Sequence, residues 1–148
     1  MLGSSELRAG FSSNESDSPM YTCENIVSRF RDRKRSANMV LCGTDCYADA
    51  QSRGNIKSPF DGNVVCGFDT MEYMLDNTFS KLGIDTDRVD HPLLLTETLC
   101  NPEYSRGQMN ELLFEAYRVQ SVNYGLDALF SAYANNVRDN GLVVSAGR

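Results

Sequence analysis

The architecture of this chain is set by one short segment, His91-Pro92-Leu93-Leu94-Leu95-Thr96-Glu97. Its run of leucines is typical of a strand buried on both faces, as in the centre of a parallel sheet. A helical pattern precedes this segment and another follows it, and parallel strands need helical crossovers of this kind. The segment therefore predicts an α/β fold.

The helix before this strand is predicted over residues 69–82, where apolar side chains recur at helical spacing on a single face. That face consists of Met71, Met74, Leu75, Thr78, Phe79 and Leu82. Asp69 is expected to cap the helix by accepting hydrogen bonds from the N–H groups of the first turn. Gly83 is expected to end the helix in a left-handed conformation, which glycine adopts at little cost.

The region before this helix predicts three short strands, over residues 6–12, 25–30 and 38–42, separated by turns. Strands this closely spaced favour an antiparallel meander. A further turn is predicted at Ser58-Pro59-Phe60-Asp61-Gly62, because proline and glycine both interrupt regular structure.

The region after the leucine-rich strand predicts a helix that begins at Ser105 or Arg106, where Ser105 and Gln108 have the spacing of a capping box. A third helix is predicted over about residues 125–134 and a final strand over residues 141–144. Right-handed crossovers would place the later strands beside the first one. This order is typical of the ribonuclease-H-like fold of sugar kinases, Hsp70 and actin ATPases, so we expect a mixed five-stranded sheet with flanking helices.

The composition is that of a globular domain, with 148 residues, 41% hydrophobic content and a net charge of −6. The net negative charge disfavours binding of nucleic acid over the whole surface, but it is compatible with a local basic patch. No apolar run approaches the ~20 residues that span a bilayer, so we expect no membrane partner.

The cysteine pattern argues against a disulfide framework. The five cysteines are Cys23, Cys42, Cys46, Cys66 and Cys100. An odd, scattered set favours reduced thiols in a cytosolic or nuclear protein. Cys42 and Cys46 have a loose metal-ligand spacing but lack a second pair, so no metal site is predicted.

Both ends of the chain join an apolar segment to a turn of small residues. Gly3-Ser4-Ser5 lies at one end and Ser145-Ala146-Gly147 at the other. Such turns can bring backbone N–H groups close to a phosphate, although the first turn alone would also suit an ordinary hairpin. Neither turn carries the acidic residue expected of a Mg·nucleotide site, which favours a nucleotide-enzyme fold reused as a scaffold.

Several motifs resemble actin in their order and spacing. HPLLLTE at residues 91–97 is close to actin's HPVLLTE, and Arg8-Ala9-Gly10-Phe11 is similar to its KAGF. The match continues through Ala128-Leu129-Phe130-Ser131-Ala132-Tyr133-Ala134. The chain is therefore identified as a member of the actin and actin-related protein superfamily. The resemblance implies that residues 1–148 are the first half of an actin-like fold, subdomains 1 and 2, incomplete at both ends.

Three features resemble one branch of the actin-related proteins more than actin itself. They are the basic stretch from Arg29 to Lys34, Lys57-Ser58-Pro59-Phe60-Asp61-Gly62, and the segment from Tyr124 to Ser131. The resemblance implies a nuclear, non-filament subunit of an inositol-requiring-80 type chromatin-remodelling complex. Its partners would be the motor ATPase, a small partner subunit and the nucleosome. Two alternatives remain, an active cytoskeletal ATPase and a sugar-kinase relative, and the latter lacks a convincing acidic base.

The resemblance also implies a cofactor, ATP or ADP with Mg²⁺, and the residues that would hold it. The candidate phosphate loops contain Gly3, Ser4, Ser5, Arg8 and Gly147. Arg8 matches a phosphate-facing lysine. No catalytic or metal-binding residue is expected, and retention of the nucleotide is left open.

Three positions underlie the expectation of impaired hydrolysis. Met1 and Ser145 fall where actin has aspartates, although Met1 can also stand in for missing sequence, and Asp127 replaces a glutamine that orients water. Phosphoryl transfer depends on positioned charge, so losing these groups should slow it.

A dense basic run is a candidate contact for the DNA of the nucleosome. It contains Arg29, Arg31, Arg33, Lys34 and Arg35. Such a run more often covers a solvated strand edge, and contact with DNA phosphates is the alternative.

Overall fold

The computed structural model describes residues 2–16, 18–32, 36–86, 88–137 and 140–144. These residues contain both strands and helices, which alternate from Phe68 onward, and this confirms the predicted α/β class. No helix in these ranges is long and apolar enough to cross a membrane.

Four short strands form the first part of the chain. β1 (Glu6–Ala9) pairs antiparallel with β2 (Tyr21–Glu24), and β3 (Val27–Asp32) pairs antiparallel with β4 (Ala37–Cys42). The sequence had not predicted β2. The strand expected over residues 25–30 begins two residues later than its predicted start.

A sharp bend between β2 and β3 divides the expected meander between two sheets. At this bend the Ile26 N–H donates back to the Glu24 carbonyl at 2.9 Å. Asn25 instead donates its backbone N–H to Ser5, at 2.9 Å. The chain therefore leaves the first ladder and starts a second one.

Short elements connect these strands to the first long helix. They are a 3-10 helix (Gly43–Tyr47), α1 (Ala50–Arg53), β5 (Ile56–Lys57), β6 (Phe60–Asp61) and β7 (Val64–Val65). β5 pairs with β3, and β6 pairs with β7 around the predicted turn, where Gly62 has φ +58°.

The first long helix, α2 (Phe68–Lys81), buries most of the face predicted for it. Its N-cap is Gly67, and no side chain caps it, so the cap predicted for Asp69 is wrong. Asp69 lies in the first turn, where its charge still favours the positive end of the helix. Gly83 adopts φ +78°, and its N–H donates to Ser80 at 3.0 Å, which confirms the predicted ending.

The second half of the chain is built around a parallel strand pair. β8 (Leu93–Glu97) pairs with β9 (Val122–Leu126), and α3 (Glu103–Glu111) with a π-helical turn (Leu112–Ala116) connects them. α4 (Asp127–Ala134) follows β9. The parallel strand predicted from the leucine run is thus confirmed.

Four details differ from the sequence predictions in this half. β9 includes Gly125 and Leu126, where the sequence predicts the start of a helix. The strand forms there because Val122 and Tyr124 alternate with polar or small neighbours. Leu94 is 60% exposed, so β8 is not buried on both faces. Residues 141–144 form no strand, and Leu142 is 88% exposed.

The fourth difference concerns the start of α3. The helix begins at Glu103 after Pro102. The Ser105 hydroxyl is buried and donates to the Val65 carbonyl at 2.9 Å. Ser105 therefore joins α3 to β7 rather than capping a helix.

The core lies between α2, α3 and the strands. Met71, Met74 and Leu75 of α2 meet buried side chains from α3 and from the strands. Phe79 packs edge-on against Tyr117, with ring centroids 5.0 Å apart. In the described part of the chain the strands form three two-stranded sheets and one three-stranded sheet. The single mixed five-stranded sheet that was expected is therefore replaced by smaller ones.

Candidate phosphate-binding site

The N-terminal turn, formed by Gly3, Ser4 and Ser5, precedes β1. Leu2 forms an antiparallel bridge with Leu7, which closes the turn. Within it, the Gly3 N–H donates to the Glu6 carbonyl at 3.0 Å. The small-residue turn predicted from the sequence is thus a tight hairpin that leads directly into a strand.

The N-terminal turn is attached to the carboxyl end of the parallel strand pair. The Leu2 N–H donates to Thr96 Oγ1 of β8 at 2.8 Å, and Thr96 is buried. Asp127, the first residue of α4, directly follows β9 at the same end. Ligands in α/β folds bind beyond the carboxyl ends of parallel strands, so the turn occupies a position suited to binding.

A second contact holds the other side of the turn, and sequence reasoning missed it. The Asn25 side-chain amide donates to the Gly3 carbonyl, and its backbone N–H donates to the Ser5 carbonyl at 2.9 Å. Asn25 is 1% exposed. The asparagine at the start of a predicted strand was the signal available in the sequence, because asparagine hydrogen-bonds nearby backbone in irregular structure.

The turn offers a phosphate one clear backbone donor. The N–H groups of Leu2 and Gly3 are engaged within the protein, at 2.8 and 3.0 Å. Ser4 lies half-buried between them and the exposed Ser5. The Ser5 N–H donates to no other residue in the described ranges, which makes it the donor best placed to meet an anion.

Arg8 supplies positive charge on the strand that follows. It is exposed, and its Nη2 lies 2.9 Å from Glu6 Oε2. Exposed ion pairs of this kind contribute little to stability, about 0–1 kcal/mol. A phosphate bound beside the turn would compete with the Glu6 carboxylate for the Arg8 guanidinium. Gly147, the remaining predicted site residue, lies outside the described residues, as do Met1 and Ser145.

The carboxylate at the end of β8 is already neutralised. Glu97 accepts a hydrogen bond from Asn101 Nδ2 at 3.1 Å and pairs with the Arg106 guanidinium, whose Nε lies 3.1 Å from Oε2. The hydrogen bond between Arg106 and Glu97 raises the pKa of Arg106. Burial, followed by the Glu97 charge, raises the pKa of Tyr124 to about 12. Glu97 is consequently committed to protein partners.

The surroundings fit a phosphate better than a metal ion. Among the described residues, no group of three or more His, Cys, Asp or Glu side chains is placed to hold a metal. A cavity of about 30 Å³ beside the turn is lined in part by Leu2, Thr96 and Glu97, which is enough space for ordered water but not for a nucleotide. Any nucleotide would therefore lie against the outer side of the turn.

The two described arginines of the basic run have different surroundings. The Arg29 guanidinium lies over the Tyr73 ring, 5.1 Å from its centroid, and so links β3 to α2. Arg31 is exposed, and its backbone carbonyl accepts from Gln51 Nε2 at 2.9 Å. Arg33, Lys34 and Arg35 lie outside the described residues.

A comparison with known protein families identifies the family to which the chain belongs. Residues 2–148 match the family described as Actin. The chain belongs to the actin family. The resemblance drawn from the sequence motifs is thereby confirmed.

Several curated relatives in the actin family match nearly the whole chain. The chain is 48% identical over 98% of its length to "Actin-like protein arp5" of Schizosaccharomyces pombe. It is 40% identical to "Actin-related protein 5" of Saccharomyces cerevisiae and 38% identical to that of Homo sapiens, over 99% and 98% of its length. The predicted branch is thus confirmed as that of actin-related protein 5.

The chain matches only a part of each of these relatives. It spans 20% of the two yeast proteins and 25% of the human protein. In this actin-family segment, the candidate residues Ser5 and Arg8 lie beside the turn, and the described carboxylates do not assemble into a metal site.

Proposed function

We propose that this segment belongs to a non-catalytic, nuclear, actin-related scaffold subunit of an inositol-requiring-80 type chromatin-remodelling complex. The observation that carries the proposal is its similarity to proteins named actin-related protein 5 over 98–99% of the chain. In this role the protein binds the motor ATPase and a small partner subunit. It presents a rigid surface against which translocation by the motor moves DNA relative to the histones.

The nucleotide part of the proposal rests on the N-terminal turn. Ser5 and Arg8 are exposed beside a turn that is held at the carboxyl end of β8. These groups can bind the phosphates of ATP or ADP without a carboxylate cluster for Mg²⁺. The nucleotide then serves as a structural ligand that stabilises the fold.

The scaffold role is tested by affinity purification of the intact protein, with its companions identified by mass spectrometry. A remodelling motor and its other subunits should be recovered in stoichiometric amounts. Recovery of cytoskeletal proteins without a motor subunit would contradict the proposal.

The second candidate is an actin-like ATPase with a cytoskeletal role. The observation that favours it is the attachment of the N-terminal turn to the carboxyl end of a parallel strand pair. Sedimentation of the intact protein with ATP and Mg²⁺ separates the two candidates. Filaments in the pellet would support the cytoskeletal role, whereas a scaffold subunit should remain in the supernatant.

A further inference from the structure

The N-terminal turn is held by two side chains from different elements. Asn25 lies at the bend between β2 and β3, and Thr96 lies on β8. The Asn25 side-chain amide donates to the Gly3 carbonyl, while Thr96 Oγ1 accepts from the Leu2 N–H. The Asn25 backbone N–H also donates to the Ser5 carbonyl. Both side chains are buried. We propose that Asn25 and Thr96 are positioning residues that fix the turn so that Ser5 N–H points toward a nucleotide phosphate.

The bonding pattern determines how the Asn25 amide is oriented. Because the Gly3 carbonyl can only accept a hydrogen bond, the amide nitrogen must face it. The Asn25 Oδ1 atom is then buried without a hydrogen-bond partner in the described ranges. An unpaired buried acceptor lowers stability, so the contribution of the Asn25 side chain lies in its bond to the Gly3 carbonyl.

The two contacts restrain complementary parts of the turn. Thr96 holds the backbone before Gly3, and Asn25 holds the carbonyls of Gly3 and Ser5. Neither contact uses the Ser5 N–H. The turn is thus pre-organised while this donor remains available, which reduces the entropy cost of binding an anion.

This inference rests on the nucleotide part of the proposed function. Its test uses the intact protein, with ATP affinity measured by calorimetry and amide exchange measured over residues 2–11. Asn25→Asp keeps the side-chain shape but places a carboxylate oxygen against the Gly3 carbonyl. Thr96→Val keeps the shape but removes the acceptor for Leu2.

Both variants should bind ATP more weakly, by about tenfold or more for Asn25→Asp and by about fivefold for Thr96→Val, because a partly buried backbone group loses its partner. Exchange over residues 2–11 should accelerate, while exchange in α2 stays unchanged. Thr96→Val also keeps the test decisive if Asn25→Asp fails to fold.

Matched controls change the same residue types at exposed positions. Asn55 donates its side-chain amide to the Gln51 carbonyl at 2.9 Å and is exposed, so Asn55→Asp repeats the chemistry away from the turn. Thr44→Val repeats the second change at an exposed position of the 3-10 helix. Both controls should leave ATP affinity within about twofold of the unmodified protein.

The outcomes separate the positioning role from the nucleotide role. Unmodified protein that binds ATP, together with variants of unchanged affinity and exchange, would overturn the positioning role alone. Failure of the unmodified protein to bind ATP would overturn this inference together with the nucleotide part of the proposed function. Faster exchange with weaker ATP binding in both variants would support the inference.

Discussion

At Gly43, the packing against β2 leaves no space for a side chain. Gly43 has φ +61°, and a Cβ placed there would overlap the sulfur of buried Cys23. Strain in the left-handed region and overpacking both destabilise a protein. Glycine at this position therefore allows β4 to turn into the 3-10 helix against β2.

We expect Gly43→Ala to lower the free energy of unfolding by about 2–4 kcal/mol, the sum of the strain and packing costs. Gly62→Ala is the matched control, because Gly62 has a similar φ of +58° with no atom within 4 Å of the added carbon. This control should cost about 1 kcal/mol. Equal losses for the two variants in chemical denaturation would refute the packing argument.

The cysteines differ in their surroundings. Burial raises the pKa of Cys42 from its ordinary value of 9.0 to about 12, with further contributions from Cys46 and Cys23. Cys66 and Cys100 are exposed. Because the folded pKa of Cys42 lies above the unfolded one, its contribution to stability is complete below pH 9 and is lost as pH rises toward 12.

The unfolding free energy should accordingly decrease between pH 9 and pH 12, and Cys42→Ala should make this decrease shallower. Denaturant titrations across this range measure the slope. Cys66→Ala is the control, because it removes an exposed thiol. A Cys42→Ala slope identical to that of the unmodified protein would show that Cys42 does not supply this pH dependence.

At the residue scale, the sequence predicted which side chains pack in the core. It did not predict which side chains hydrogen-bond to distant backbone groups. The buried residues of α2 follow from their helical spacing, since burial is periodic. Asn25 and Ser105 bind carbonyls that are distant in sequence, Gly3 and Val65. No local pattern specifies such partners, so the turn was predicted while the contacts that hold it were not.

At the element scale, β3 places two arginines, Arg29 and Arg31, on one face of the strand, where their contacts differ. Both residues are exposed, but the Arg29 guanidinium is stacked on Tyr73 of α2. A stacked guanidinium is less available to a distant phosphate, because moving it would break the cation–π contact. Arg31 is thus the described residue of the basic run best placed to meet DNA.

We expect Arg31→Glu to weaken DNA binding by the intact protein and to reduce the salt slope of the affinity by about one, the effect of losing one phosphate contact. Lys81→Glu makes the same change of charge at the exposed end of α2 and should leave the slope unaltered. Fluorescence anisotropy at several salt concentrations gives both values. Equal effects of the two substitutions would indicate a response to net charge alone.

Elements with strong periodicity were predicted well, and those decided by distant pairing were not. α2 and the parallel strand β8 follow from their own sequences. β9 depends on pairing with β8, and its residues Asn123 and Gly125 are poor strand formers. The division of the three-strand meander between two sheets likewise depends on the bend at Asn25 and Ile26. This bend contains no proline or glycine from which it could be predicted.

At the scale of the whole molecule, large apolar side chains remain exposed. They include Leu94, Leu99, Tyr104, Tyr133, Leu142 and Val144, each at least 60% exposed. Exposed apolar area of this kind marks contact surfaces or promotes aggregation.

We expect the 148-residue segment expressed alone to be poorly soluble and to lack a sharp thermal transition. Differential scanning calorimetry alongside light scattering measures both properties. The intact protein under the same buffer conditions is the control. A cooperative transition from a monodisperse preparation of the segment would show that these apolar side chains need no covering partner.

The proposal of a scaffold that binds nucleotide without consuming it is tested most directly by ATP hydrolysis. The measurement is steady-state phosphate release by the intact protein, purified without any motor subunit, at saturating ATP and Mg²⁺. We expect ATP to be bound and phosphate release to stay at the background rate, because Met1 and Ser145 fall where actin has aspartates and phosphoryl transfer depends on positioned charge. Sustained turnover well above background would contradict the account.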